Sequence, residues 1–161
     1  VVYGGWNRQR AYEQAKQLLE RYPATRLVLS ANDQMAFGAM QAFEEAGYTA
    51  GRDVLFAAVN SSPEALRARI DGRLSVLMGG HFTLGGWAMV MLHDDAHGLA
   101  LNRDGLRERR VPVLQEIDQA KARRWLKLLE RDDYGVDFRR YSAEGRPPGY
   151  RYPFLASPVE Y

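Results

Sequence analysis

Apolar residues at Ala11, Ala15, Leu18, Leu19 and Tyr22 recur at the spacing of one helix face, which predicts a helix opened by an Asn7 cap and stopped at Pro23. Ahead of it, Val1 to Tyr3 reads as a short buried strand, with Gly4-Gly5 turning the chain before Trp6. Leu27 to Ala31 is apolar without alternation, the pattern of a strand buried on both faces. Asn32-Asp33 ends it and caps a second helix, whose apolar side carries Met35, Ala36, Ala39, Met40, Phe43 and Ala46 before Gly47 stops it. Val54 to Val59 predicts the next strand. Ser61 or Ser62 then caps a helix with Pro63 in its first turn, Asp71-Gly72 closes it, and Leu74 to Met78 predicts a further strand. Strand and helix alternate throughout, so the expected fold class is α/β: a three-layer, doubly wound parallel sheet with helices on both faces.

The second half is less regular. Thr83 to His97 predicts a mostly buried helix ended by Gly98, Val111 to Ile117 a strand whose Pro112 suits an edge, and Ala120 to Arg131 an amphipathic helix. From Asp132 onward Gly, Pro and Tyr dominate, with short alternations at Val136-Phe138 and Tyr150-Tyr152-Phe154. Irregular structure with at most a hairpin is expected there.

Composition narrows the function classes. A chain of 161 residues with mixed apolar and charged content fits one globular domain with a real core. The 22 Lys+Arg nearly balance the 20 Asp+Glu, and a formal charge of +2 is too small for an extended phosphate-binding surface, so nucleic acid is not an expected partner. The basic run Arg107 to Arg110 reads as a solvated turn. There is no cysteine, which excludes disulfide and thiolate chemistry. The longest apolar run, about Leu84 to Leu92, is well short of the roughly twenty residues of a membrane span, and no direct membrane insertion is expected. The opening residues show no basic start before an apolar stretch, and so no signal peptide. They read as a strand entered partway through a domain.

In doubly wound sheets ligands bind beyond the carboxyl ends of the strands, where loops diverge and helix N-termini point free N–H groups into the crevice. Trp6 follows the first predicted strand, Asn32 and Asp33 the second, Asn60 the third and Gly79-Gly80-His81 the fourth. An aromatic plate, amides, a carboxylate and an imidazole suit a polyhydroxylated ligand: an amide pairs with neighbouring hydroxyls, and a ring face packs on the C–H side of a sugar. Each residue also has a plainer explanation. Asn32-Asp33 and Asn60 serve equally as turns and helix caps, and Trp6 as packing at a domain edge.

The stretch from Tyr22-Pro23 through Leu27-Val28-Leu29-Ser30-Ala31-Asn32-Asp33-Gln34-Met35-Ala36-Phe37-Gly38-Ala39, then Glu45-Ala46-Gly47 and the strand into Asn60, resembles type I periplasmic binding proteins of the ribose-binding kind. Asn-Asp-x-Met-Ala-x-Gly-Ala after a buried strand is its most specific part, and Glu64-Ala65-Leu66, Ile70-Asp71-Gly72 and Leu74 continue it. The resemblance covers about residues 1–118. It implies the C-terminal lobe of a receptor whose two lobes close on a small sugar-like ligand, with the first lobe upstream and absent here. Residues 1–131 would form this lobe, 83–110 lying on the missing lobe's side of the hinge, and 132–161 an irregular extension that contacts a partner. Carried over, the resemblance makes Trp6 the stacking aromatic and Asn32 a direct hydrogen-bonding contact. Asn60 stands where sugar receptors often place an aspartate, a departure that removes a charge-assisted bond. Gly80 stands near a position often held by a glutamine, for which His81 would substitute. The implied ligand set is Trp6, Asn32, Asp33, Asn60 and His81. No cofactor is implied, the location is the periplasm, and the partner is a membrane transporter or sensor kinase.

Two rival readings remain. The effector domain of a LacI-like transcription regulator shares the Asn-Asp signature, because fold alone does not fix function. His93-Asp94-Asp95-Ala96-His97 sets two imidazoles one helical turn apart, loosely like a zinc hydrolase helix, but it lacks the glutamate after the first histidine and a third ligand. No nucleophile paired with a base stands out, and a binding protein is expected in preference to an enzyme.

Overall fold

The structure is a computed structural model that describes residues 1–99, 111, 113–129, 136–147 and 149–154. Its elements are α1 (Arg8–Arg21), β1 (Leu27–Leu29), α2 (Asp33–Glu45), β2 (Leu55–Val59), α3 (Pro63–Ile70), β3 (Val76–Gly79), α4 (Leu84–Ala96), β4 (Gln115–Glu116) and α5 (Gln119–Leu129), with short 3-10 turns at His81–Thr83 and Phe138–Tyr141. The strands form a four-stranded sheet in the order β1-β2-β3-β4. The first three are parallel, with Val28 opposite Phe56 and Ala58 opposite Leu77, and β4 runs antiparallel to β3. A mixed α/β architecture on a parallel sheet is what the alternating pattern predicts.

The caps set the helix starts. Asn7 accepts from the Arg10 N–H, Asn32 from the Met35 N–H and Ser62 from the Ala65 N–H, each satisfying a first-turn donor that has no partner inside its own helix. Helix α1 lies along α2, and α3 against α5. Beneath them Phe37, Met40, Phe43, Phe56, Leu66, Leu77, Ile117 and Trp125 close the main core. Gly38 in α2 permits the α1 contact, since a β-carbon there would collide with the Arg8 carbonyl oxygen, a backbone atom that cannot rotate away.

Several expectations are corrected. Val1 to Tyr3 is not a strand: it pairs with no strand among the described residues, and all three side chains are exposed. β1 is covered on one face only, where Val28 is half-buried, with Leu27 and Leu29 at 65% and 79% exposure. Leu55 and Val76 share that outlook, because the helices that touch the sheet lie on the Val28, Phe56 and Leu77 side. The strand expected at Val111 to Ile117 contracts to Gln115–Glu116, and Pro112 lies outside the described residues. The helix expected to end at Arg131 is described to Leu129.

The helix expected as mostly buried buries Trp87, Val90 and Asp94 and leaves Leu84, Met89 and Leu92 exposed. It seeds a second, separate cluster with the tail, in which no strand forms among the described residues. Trp87 holds the rings of Phe138, Tyr141 and Phe154 at 5.3, 5.1 and 5.5 Å, and Gly86 leaves room for the Phe138 ring. The polar anchor is Asp94, with no exposed surface, which accepts from the Ser142 hydroxyl, the Ala143 N–H at 2.6 Å and the Tyr152 hydroxyl at 2.6 Å. Burial alone would raise the pKa of this group, making it a weaker acid. Hydrogen bonds from Ser142, Tyr152, the Ala143 backbone and His93 outweigh it and hold the carboxyl at about 2, below its ordinary 3.8.

Two outcomes follow. Gly38→Ala should cost roughly 1–3 kcal/mol in denaturant unfolding, because the clash is with backbone. Asp94→Ala should cost about 2–4 kcal/mol near neutral pH, since three donors lose a charged acceptor. A folded-state value below the unfolded one gives stabilisation that is complete above about pH 4 and lost as pH falls through about 2. The gap between wild type and Asp94→Ala, followed by tryptophan fluorescence, should therefore shrink toward that acid limit.

Candidate functional site

Because β1, β2 and β3 are parallel, their carboxyl ends meet at one edge. The β1 ladder runs one residue further, with the Ser30 N–H donating to Ala57 O at 2.9 Å, and Asn32 then opens α2. The Asn60 N–H donates to Met78 O at 2.9 Å, so Asn60 sits against the end of β3. Gly79 makes that approach possible, since a β-carbon there would press on Ile117 and stand 3.1 Å from Asn60 O. Gly80 turns the chain at φ 115°, a conformation that favours glycine, and its carbonyl accepts from the Thr83 hydroxyl at 2.9 Å.

The loop before α1 reaches the same edge. Gly4 lies against the Met35 side chain in the first turn of α2. Arg8 pairs with Glu64 in the first turn of α3 at 3.0 Å, and its guanidinium lies 5.2 Å from the centre of the Phe37 ring. These contacts gather the N-termini of α1, α2 and α3. Trp6, at φ 59° and 65% exposed, stands on this loop with its indole open to solvent.

The sequence-derived residues divide by burial. Asn32 is half-buried; its Oδ1 accepts from the Met35 N–H at 2.9 Å, and its Nδ2 hydrogens have no partner among the described residues. Asp33 has no exposed surface and is no open contact for a solute. One carboxylate oxygen accepts from the Gln34 N–H at 2.8 Å and from Asn60 Nδ2 at 3.1 Å, and the other from the Ser62 hydroxyl. Asn60 is half-buried at φ 132°, a strained region for any residue with a side chain, and its Oδ1 accepts from the Ser61 N–H at 2.9 Å. His81 follows Gly80, half-buried, with Nδ1 enclosed and without a partner among the described residues.

Sequence reasoning missed the Asp33–Asn60–Ser62 network, whose members stand 27 and 29 residues apart, and the Arg8–Glu64 pair, 56 apart. It also missed a cleft of about 220 Å³ where Asn60 to Pro63 face Phe82, Trp125, Leu128 and Leu129. No local signal announces a pairing across such distances. His93 and His97 stack at 4.2 Å, with His93 Nδ1 beside Asp94 and His97 Nδ1 beside His93 O. Among the described residues no group of three or more His, Cys, Asp or Glu could hold a metal ion. Among them, too, no helix is long and apolar enough to cross a membrane.

A chain built this way has close relatives among solved structures. It matches a periplasmic sugar-binding protein from Pseudomonas fluorescens at 59% identity and a TM-score of 0.90, over 96% of this chain and 47% of that one. A Mycobacterium smegmatis protein in complex with β-D-fucofuranose matches at 27% identity and a TM-score of 0.65, over 80% of this chain and 41% of that one. The binding component of the arabinose ABC transporter from Shewanella sp. ANA-3, bound to L-arabinofuranose, is 24% identical with a TM-score of 0.63 over 80% of this chain and 42% of that one, a likeness of fold. The chain thus spans about half the length of the solved proteins it matches. No curated protein matches it. Residues 1–98, more than half of the chain, fit the family model for the periplasmic binding protein domain. Together with the parallel sheet, this establishes that the chain belongs to the type I periplasmic binding proteins.

Proposed function

We propose that this chain is one lobe of a periplasmic solute-binding protein that captures a sugar or a related small polar ligand between two lobes, for ABC transport or for sensing. The observation that carries the reading is 59% identity, across 96% of the chain, to a periplasmic sugar-binding protein. The geometry supports it from below. Trp6 presents an open aromatic face, Asn32 amide hydrogens without a partner among the described residues, and Asn60 and His81 polar groups at the ends of β2 and β3. Such a set packs on the C–H face of a ring while exchanging hydrogen bonds with its hydroxyls. Asp33 belongs behind this set as its support.

In this reading residues 1–82 and the returning 115–129 form the lobe, and the segment from Gly80 into α4 leads across the hinge. Helix α4 supports this, since its main contacts among the described residues are with the 3-10 turn before it and with the 3-10 turn of the tail. Closure of the two lobes would report occupancy to a transporter or a sensor. The reading needs no cofactor and no catalytic step.

A thermal-shift screen of the full-length polypeptide against monosaccharides and polyols tests it. Ligand at about a hundred times its dissociation constant adds roughly 2.7 kcal/mol of stability. Trp6→Ala should leave the unliganded melting temperature unchanged and weaken binding roughly tenfold or more, which corresponds to about 1.4 kcal/mol. Asn32→Ala should weaken binding similarly and also cost about 1 kcal/mol of stability through the lost cap. An absence of any shift, or full affinity in both variants, would remove the reading.

A further inference from the structure

Asp33 and Asn60 meet inside the strand-end edge in a way that settles the polarity of residue 60. We propose that Asp33 is a positioning residue that turns the Asn60 amide nitrogen toward itself, so that residue 60 presents an N–H donor to the ligand and the ligand meets it with an acceptor oxygen. This rests on the reading that the edge binds a sugar-like ligand.

The argument is a count of hydrogens. A carboxylate only accepts. Asp33 has no exposed surface, so its hydrogens come from protein: the Gln34 N–H, Asn60 Nδ2 and the Ser62 hydroxyl. Ser62 in turn accepts from the Ala65 N–H at 3.2 Å, which leaves its own hydrogen for Asp33. Asn60 is held at both ends, since Oδ1 accepts from the Ser61 N–H at 2.9 Å while Nδ2 donates to Asp33 at 3.1 Å. Turning the amide over would set oxygen against carboxylate and NH₂ against N–H, two repulsions in a part-buried place. One orientation survives. Its second Nδ2 hydrogen has no partner among the described residues, and an aspartate at this position could not offer it. Ring oxygens, lactone carbonyls and sugar carboxylates are acceptable opposite such a donor. A carboxylate at residue 60 would repel all three.

Four full-length proteins test this: wild type, Asn60→Asp, Asp33→Asn and the double variant. Without ligand, Asn60→Asp places two carboxylates in contact. Its melting temperature should fall by roughly 5 °C or more below wild type at a pH of about 7.5 and much less at about 4.5, where the pair shares a proton. The double variant, with one carboxylate, should lose that pH dependence. Glu64, paired with Arg8, and His81 are common to all four proteins and drop out of the differences. An Asn60→Asp deficit equal at both pH values would overturn the Asp33–Asn60 coupling.

With ligand, L-arabinose and D-galactose are titrated calorimetrically, followed by the deoxyfluoro series of whichever binds, because fluorine accepts but cannot donate. At one ring position wild type should tolerate fluorine within about threefold, while the double variant, with its carboxylate at residue 60, should lose roughly tenfold or more. Sugar binding with no position that separates the two proteins overturns the inference and leaves the receptor reading standing. If wild type binds neither sugar and no monosaccharide or polyol shifts its melting temperature, both fall.

Discussion

A carboxylate shut away from water is tolerated only where the protein supplies the hydrogens that water would have given, and at Asp33 this condition organises the whole strand-end edge. Its donors come from three places in the chain: the first turn of α2, the residue after β2 and the cap of α3. The end of one strand and the starts of two helices are thereby confined to positions that deliver a hydrogen to the same group. The backbone yields to this condition, and Asn60 accepts a strained φ to keep its amide in place. Small residues let the surrounding elements close in, Gly38 beneath Arg8 and Gly79 beneath Asn60.

Asp94 applies the same chemistry to a different end. There the donors lie about fifty residues downstream, and the result is a tail fastened to α4. Nothing in the local pattern separates the two acids. Both follow a residue that reads as a cap or a helical polar position, and both prove to have no exposed surface. What separates them is the identity of the donors: strand ends and helix caps for Asp33, a hydroxyl-bearing irregular segment for Asp94.

The parts legible in the sequence were those fixed by neighbours in the chain. Helices α1, α2 and α3 follow from apolar spacing and from Asn7, Asn32 and Ser62, and the parallel order of β1 to β3 follows from the alternation of strand and helix. The placement of Asn32, Asn60 and His81 after successive strands follows from the same alternation. Illegible were features that need a distant partner. Three apolar residues such as Val1 to Tyr3 become a strand only beside another strand, and the uniform apolarity of Leu27 to Leu29 describes a need for cover without showing what supplies it. The tail reads as irregular because its aromatics, spread from Phe138 to Phe154, gain order from Trp87 and not from each other's spacing. Asp33 reads as a ligand contact because it follows a strand at the edge where such folds bind ligands, and its lack of exposed surface depends on distant residues.

The two apolar clusters share no residue, and the chain between them turns on a left-handed glycine. Cooperativity in unfolding comes from shared contacts, so two clusters with no residue in common among the described ones are expected to open separately. Amide exchange in α2 and β2 then reports one opening equilibrium and exchange in α4 another. A motion that turned α4 relative to the sheet would leave the residues of each cluster packed among themselves.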